Sequence, residues 1–200
     1  MSVSHVILLL GYASLLLELT VVAVPSVTST WRLMQGRPSH RWALLELLPT
    51  GVAVGAFALP GVLCVWPSWH AALGGAQGSP WWNTASNVAG VVLVLSGRCL
   101  TLLAVSALRR RAPTQAFVAV GPYAWSRNPA LLGLHLFLLG GVAMFTSAVT
   151  IAAFAVFVLH MHRRVRSEER HLTTTGGDDY VHYLARVARY VPTGRKRVPR

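Results

Sequence analysis

Apolar residues run almost unbroken along most of this chain, and the polar positions gather in clusters between them. That is the pattern of bilayer-crossing helices rather than of amphipathic helices on a soluble core. A hydrocarbon core of about 30 Å takes about 20 apolar helical residues to cross. Val3 to Val24 supplies the first such stretch, interrupted by Glu18 and stopped by Pro25. It lacks the positively charged start of a secretory signal, the first arginine being Arg32, so a retained helix is expected. A second stretch runs from Trp42 to Trp66 with Glu46 and Pro49 inside it, and a third from Thr84 to Leu108 with Arg98 inside it. From Pro129 to His162 the apolar run is too long for one crossing. Gly140-Gly141 and Thr146-Ser147 suggest a reversal near its middle, giving a hairpin of two shorter helices. The expected fold is therefore all-α: a polytopic membrane helix bundle of about five transmembrane helices.

Beyond His162 the pattern changes. Arg163 to Thr175 has helix-forming composition, Gly176-Gly177 breaks it, and Asp178 opens an amphipathic stretch with Tyr180, Tyr183, Leu184 and Val187 at helical spacing, ended by Pro192. Three regions result: 1–83 with two helices, 84–192 with the remaining three and the C-terminal helices, and a basic tail at 193–200. The connection after the first helix carries Arg32, Arg37 and Arg41, and the one after the third carries Arg109, Arg110, Arg111 and Arg127. The connection from Pro67 to Trp82 carries no Arg or Lys, and neither does the hairpin turn. Arginine marks the cytosolic side of short loops, so the N-terminus is expected outside and the C-terminal helices in the cytosol. Trp66, Trp69, Trp81 and Trp82 bracket the outer connection, where indoles favour the interface.

Composition sharpens this picture. The 200 residues are 54% hydrophobic and 12% charged, with 18 Lys and Arg against 6 Asp and Glu for a net charge of +12. Ten of the basic residues lie at or beyond Arg163, directly after the apolar region. Their expected counterpart is the anionic headgroups of membrane lipids, and nucleic acid is not an expected partner. The preference for Arg over Lys and the small size suggest a bacterial inner membrane. Cys64 and Cys99 lie in apolar runs, too far apart for a zinc or redox motif, and are expected to be buried, inert thiols. No metal site is expected, because His160 and His162 are two residues apart and point to different faces of a helix.

Two segments carry chemistry. In the first, Gly121 to Gly133, Gly-Pro makes a turn and Asn128-Pro129 places a capping side chain before a proline at the first helical position. The start of that helix, beside Arg127, suits a carboxylate or phosphate, and equally suits a plain membrane-boundary cap. In the second, Glu168 and Glu169 form an acidic pair in a basic region. They can be surface partners of Arg164 and Arg166, or hold the ammonium or ribose hydroxyls of a ligand.

Taken in order, Gly-Pro-Tyr-x-Trp-x-Arg-x-Pro, an apolar hairpin, Arg-x-x-x-Glu-Glu-x-x-Leu, then Gly-x-x-Tyr-x-x-Tyr-x-x-Arg-Val and Pro192 resemble the isoprenylcysteine carboxyl methyltransferase and phospholipid methyltransferase family. The resemblance covers roughly Gly90 to Pro192. It implies a membrane enzyme that transfers a methyl group from S-adenosylmethionine to a lipophilic acceptor arriving from the bilayer, an isoprenoid or phospholipid-like molecule methylated at a carboxylate or amine. It implies a cofactor pocket lined by Tyr123, Arg127, Asn128, Pro129 and Gly133 and closed by Glu168, Glu169, Tyr180 and Tyr183. It also matches Arg164 and Glu168 to the Arg-x-x-x-Glu pair associated with activity. The family usually has His at the position of Asn128, Tyr at Leu131 and an aromatic at Gly176. Methyl transfer of this kind needs alignment and exclusion of water rather than a metal or a covalent intermediate. The alternative is a noncatalytic membrane scaffold or lipid-binding subunit that keeps the fold.

Glu18, Glu46 and Arg98 are ionisable residues within the first three spans, where such groups are expensive. Arg98 can pair with either acid as a lock between helices, or act catalytically by orienting a substrate carboxylate or phosphate. His135, on the fourth span, can bind the cofactor, accept a proton, or be a satisfied interior histidine.

Overall fold

The computed structural model describes residues 2–18, 40–74, 84–110 and 117–191. Within them the chain is helical: α1 Val3–Glu18, α2 His40–Val65, a short α3 Ser68–Ala72, α4 Thr84–Arg109, a 3-10 turn Gly121–Ala124, α5 Pro129–Met144, α6 Ala148–Thr175 and α7 Gly177–Arg186. Among the described residues the one β feature is an isolated bridge between Ser126 and Ala188. Two helical segments, Ala85–Arg109 and Ala148–Thr174, are long and apolar enough to cross a membrane, while Val3–Glu18, Gly51–Val65 and Pro129–Met144 are shorter apolar segments.

α4 and α5 form the tightest pair, and glycine explains why. A Cβ on Gly140 would come within 2.6 Å of the Gly90 carbonyl oxygen, and one on Gly133 within 2.6 Å of that of Gly97. A Cβ on Gly97 would meet the backbone of Gly133 and Phe137. Small residues thus let the two backbones touch, as they do where apolar helices pack closely. α1 packs on α4, α2 on α6, and Tyr12 ties the two sides together. The Tyr12 hydroxyl donates to the Phe57 carbonyl at 2.8 Å while its ring sits edge-on to Phe57 and Phe137.

The hairpin reverses at Phe145–Ser147, on the expected Thr146-Ser147, but other sequence expectations are corrected. Gly140 and Gly141 lie within α5, where they face α4 and Pro60. The glycines are there for close packing. The turn is set by Ser147, whose side chain and that of Thr150 cap α6 reciprocally. α6 runs through the change of composition at Arg163 to Thr175, and Gly176 ends it as expected. α7 ends at Arg186, so Val187 lies in extended backbone rather than on the helix. Cys64 is buried as expected, but Cys99 is exposed. The side chain of Glu46, and Trp81, Trp82 and Pro192, lie outside the described residues.

Arg98, 8% exposed, is bound at three nitrogens by α1. Nη1 and Nη2 each lie 3.0 Å from a Glu18 oxygen, and Nε donates to the Ser14 hydroxyl. Of the two acids on offer, Glu18 is its partner, and the pair fastens α1 to α4.

Candidate active site

The site is built where the loop before α5 meets the strand-like segment after α7. Gly121 takes a positive φ of 61°, which lets the chain turn sharply into Pro122, and Tyr123 is buried behind it. Ser126 is fully buried and pairs in parallel with Ala188. The Arg127 N–H donates to the Ala188 carbonyl at 2.8 Å, and Asn128 Nδ2 donates to the Arg189 carbonyl at 3.2 Å. Asn128 is therefore not the side-chain cap expected of it. Its amide is turned away to hold residues 187–190, which form a strap across the start of α5.

Under the strap lies a charge cluster. Glu169, 8% exposed, receives Arg127 Nη1 at 3.0 Å on one oxygen, and Arg189 Nε and Nη2 at 2.9 and 2.7 Å on the other. Two guanidiniums share one carboxylate, so the cluster keeps one unit of positive charge. The Glu169 bond raises the pKa of Arg189 further. The Arg127 contact is electrostatic rather than aligned: Glu169 Oε1 and Arg127 Nε are both buried without a hydrogen-bond partner among the described residues. Buried polar atoms are nearly always satisfied, so two orphans in one cluster point to a missing polar ligand. A ligand with a carboxylate and an ammonium, as an amino acid end carries, matches both atoms.

An aromatic wall closes the other side. The Tyr183 hydroxyl donates to the Tyr123 carbonyl at 2.8 Å, and Phe117 packs at 5.1 Å from both Tyr180 and Tyr183. Burial pushes the Tyr123 hydroxyl up to about 12. It also raises Tyr183, helped by neighbouring Tyr180 and Tyr123, and raises Tyr180, helped by Glu169. All three are uncharged donors at neutral pH.

Of the residues singled out in the sequence, Tyr123, Arg127, Asn128, Glu169, Tyr180 and Tyr183 come together here. Pro129 is the buried first residue of α5. Three others sit differently. Gly133 faces α4, against Gly97 and Thr101, where its missing side chain serves the helix crossing. Arg164 and Glu168 form an exposed pair at 3.1 Å on the outside of α6, with side chains 63% and 56% exposed. Adjacent residues on a helix point about 100° apart, so only one of Glu168 and Glu169 can face the strap. Gly176 leaves no room for a larger side chain: a Cβ would meet Tyr180 Cβ at 2.7 Å. The residue the sequence did not single out is Arg189. Its signal was a lone arginine between Val187 and Val191.

Residues 90–174 match the isoprenylcysteine carboxyl methyltransferase (ICMT) family. This covers α4 from Gly90, the loop, α5 and nearly all of α6, and so includes both Arg127 and Glu169. The likeness to that family is thus confined to this part of the chain. Among curated proteins it is similar to the protein-S-isoprenylcysteine O-methyltransferases of Rattus norvegicus and Homo sapiens, each 28% identical over 118 residues. The match takes in 54% of this chain and 40% of each relative, so the chain spans well under half of their length.

Proposed function

We propose that this chain is an integral membrane methyltransferase that takes its methyl group from S-adenosylmethionine and delivers it to a lipophilic acceptor, an isoprenoid or phospholipid-like molecule, at a carboxylate or amine. The observation that carries the reading is the Arg127–Glu169–Arg189 cluster. Arg127 and Glu169, both within the family match, meet there with Arg189 around unsatisfied polar atoms.

Arg127 and the surplus positive charge hold the cofactor's carboxylate, and Glu169 Oε1 takes its ammonium. Tyr123, Tyr180 and Tyr183 supply a neutral wall that excludes water, which strengthens every charge contact inside. Asn128 keeps the strap seated, and Arg98 sets the helices rather than the reactants. When bound, S-adenosylmethionine supplies a sulfonium-activated methyl. The protein's task is to align the acceptor with it. In this reading five helices cross a bacterial inner membrane, the N-terminus lies outside, and 84–192 is the methyltransferase core with its site at the cytosolic face.

Calorimetry of the detergent-purified chain with S-adenosylhomocysteine tests it. Micromolar binding is expected, together with transfer of labelled methyl from S-adenosylmethionine into extracted lipid. Saturating S-adenosylhomocysteine with neither heat nor thermal stabilisation would instead indicate the noncatalytic scaffold.

A further inference from the structure

An arginine and a carboxylate left to themselves settle as a fork on a fork, two parallel N–H···O bonds with one to each oxygen. Neither arginine of the charge cluster makes that pair with Glu169. Arg189 sends both Nε and Nη2 to the same oxygen, Oε2, at 2.9 and 2.7 Å. Arg127 brings Nη1 to 3.0 Å from Oε1, while its Nε has no partner among the described residues. Arg166, three residues back on α6, is exposed and is not an ion-pair partner of Glu169. Each arginine thus keeps the other from closing on the carboxylate. The two atoms left over, Glu169 Oε1 and Arg127 Nε, are a consequence of where Arg189 binds.

Arg189 binds there because the strap delivers it. Its carbonyl accepts Asn128 Nδ2 at 3.2 Å and the Ser126 hydroxyl at 3.5 Å, which fixes its backbone to the loop before α5. Tyr190, next in the chain, sets its hydroxyl 3.0 Å from His162 Nδ1 on α6 and its ring edge-on to His135 on α5 at 6.4 Å. His135 therefore packs against the strap, its ring also edge-on to Phe154 and Phe157. Without the Arg189 side chain, Glu169 is free to turn both oxygens toward Arg127. That fork satisfies Oε1 and Arg127 Nε at once and leaves neither for a ligand.

Resting on the proposed methyl transfer, we infer that Arg189 is a positioning residue for the amino acid end of the cofactor. By occupying Glu169 Oε2 twice it prevents the Arg127–Glu169 pair from closing, and so reserves Oε1 for the cofactor's ammonium and Arg127 Nε for its carboxylate. Arg189 acts through Glu169 and does not itself touch the cofactor. Two unsatisfied buried atoms cost stability, and a ligand that pairs both removes that cost. Arg189 thus favours the ligand without stabilising the chain by itself.

The test is calorimetry and melting of the full chain in nanodiscs with two probes. S-adenosylhomocysteine carries the amino acid end, and 5′-methylthioadenosine keeps the nucleoside and thioether but lacks it. Arg189→Gln is expected to lose about 10-fold or more in S-adenosylhomocysteine affinity, the equivalent of one charge-assisted hydrogen bond. The same variant is expected to bind 5′-methylthioadenosine within about 3-fold of wild type and, without ligand, to melt no lower than wild type. Arg189→Lys, which keeps the charge but loses the fork, is expected to recover only part of the lost affinity. Added to Glu169→Ala, Arg189→Gln is expected to change S-adenosylhomocysteine affinity by less than about 3-fold, because its effect runs through that carboxylate. Four results each overturn the inference and leave methyl transfer standing: unchanged S-adenosylhomocysteine affinity in Arg189→Gln, full recovery by Arg189→Lys, an equal loss for both probes with lower melting, or a further loss of about 10-fold on top of Glu169→Ala. If the wild-type chain binds no S-adenosylhomocysteine, the underlying reading fails instead.

Discussion

Two buried ion clusters among the described residues differ in how completely they are satisfied. Between α1 and α4, Arg98 meets Glu18 one to one, with Ser14 engaging the remaining nitrogen, and none of these atoms is left buried without a partner. Between the α5 loop and the strap, two arginines compete for Glu169, charge is left over, and atoms on both sides stay unsatisfied. Closed stoichiometry is what a structural lock requires. An open one costs stability and persists where a ligand completes it. Charge within a membrane protein is thus better read from what remains unpaired than from burial alone.

Breaking the closed pair has the largest expected effect on folding. Glu18→Ala strands a buried guanidinium and is expected to lower stability by about 3–5 kcal/mol, whereas Glu18→Ala with Arg98→Leu recovers most of it, since replacing both charges removes the desolvation problem. Melting in detergent measures both. S-adenosylhomocysteine affinity of whatever folds is expected to stay within about 3-fold of wild type, as the lock lies outside the site. A selective loss of affinity in the double variant would give Arg98 the reactant-orienting role that its sequence position also allowed.

The open cluster responds the other way. Glu169→Ala removes the carboxylate that both arginines share and that, in the proposed function, also takes the cofactor's ammonium, and affinity for S-adenosylhomocysteine is expected to fall about 100-fold, the equivalent of one charged hydrogen bond near 3 kcal/mol. Calorimetry reads this directly. If affinity survives while the strap loosens, Glu169 is a fastening like Glu18.

How far the sequence reveals these two regions depends on the range of the forces involved. Helix existence is local, and α4 begins at Thr84 as its apolar run indicates. Arg127 and the acidic pair stand out because charge beside a long apolar run is rare. What a single sequence hides is which partner wins. Gly140-Gly141 reads as a turn by composition, yet its use is decided by Gly90 and Val94 against Gly140 and by Pro60 against Gly141, all on other helices. Asn128 has a cap's identity, but the strap carbonyl takes its amide. Glu168 and Glu169 are chemically equal in sequence. The rotation of α6 alone exposes one and buries the other, and Arg189 gains meaning only once that is known.

A smaller effect tests the wall beside the open cluster. Tyr183→Phe removes the hydroxyl bond to the Tyr123 carbonyl and is expected to cost about 1 kcal/mol. The same hydroxyl makes stability pH-dependent. Its pKa is raised in the folded chain, so the unfolded chain loses the proton first and stability falls as pH rises above about 10, the ordinary tyrosine value. Melting between pH 9 and 11 is expected to drop more steeply in wild type than in Tyr183→Phe. Equal slopes would mean the hydroxyl is not held in its neutral form by burial.

The smallest effect is expected at the pair that family likeness makes most prominent. Arg164 and Glu168 face outward and are mostly exposed, so their attraction is screened by water and opposed by the entropy of two long side chains. Arg164→Ala is expected to shift stability by about 0.5 kcal/mol or less, the usual range for an exposed pair one helical turn apart. Its value lies in that neutrality. Because the fold and the Glu169 cluster are left intact, a drop in methyl transfer in Arg164→Ala with unchanged melting and unchanged S-adenosylhomocysteine binding would put Arg164 in contact with the acceptor. Unchanged transfer would make the pair surface chemistry and leave Glu169 as the acidic residue of the site.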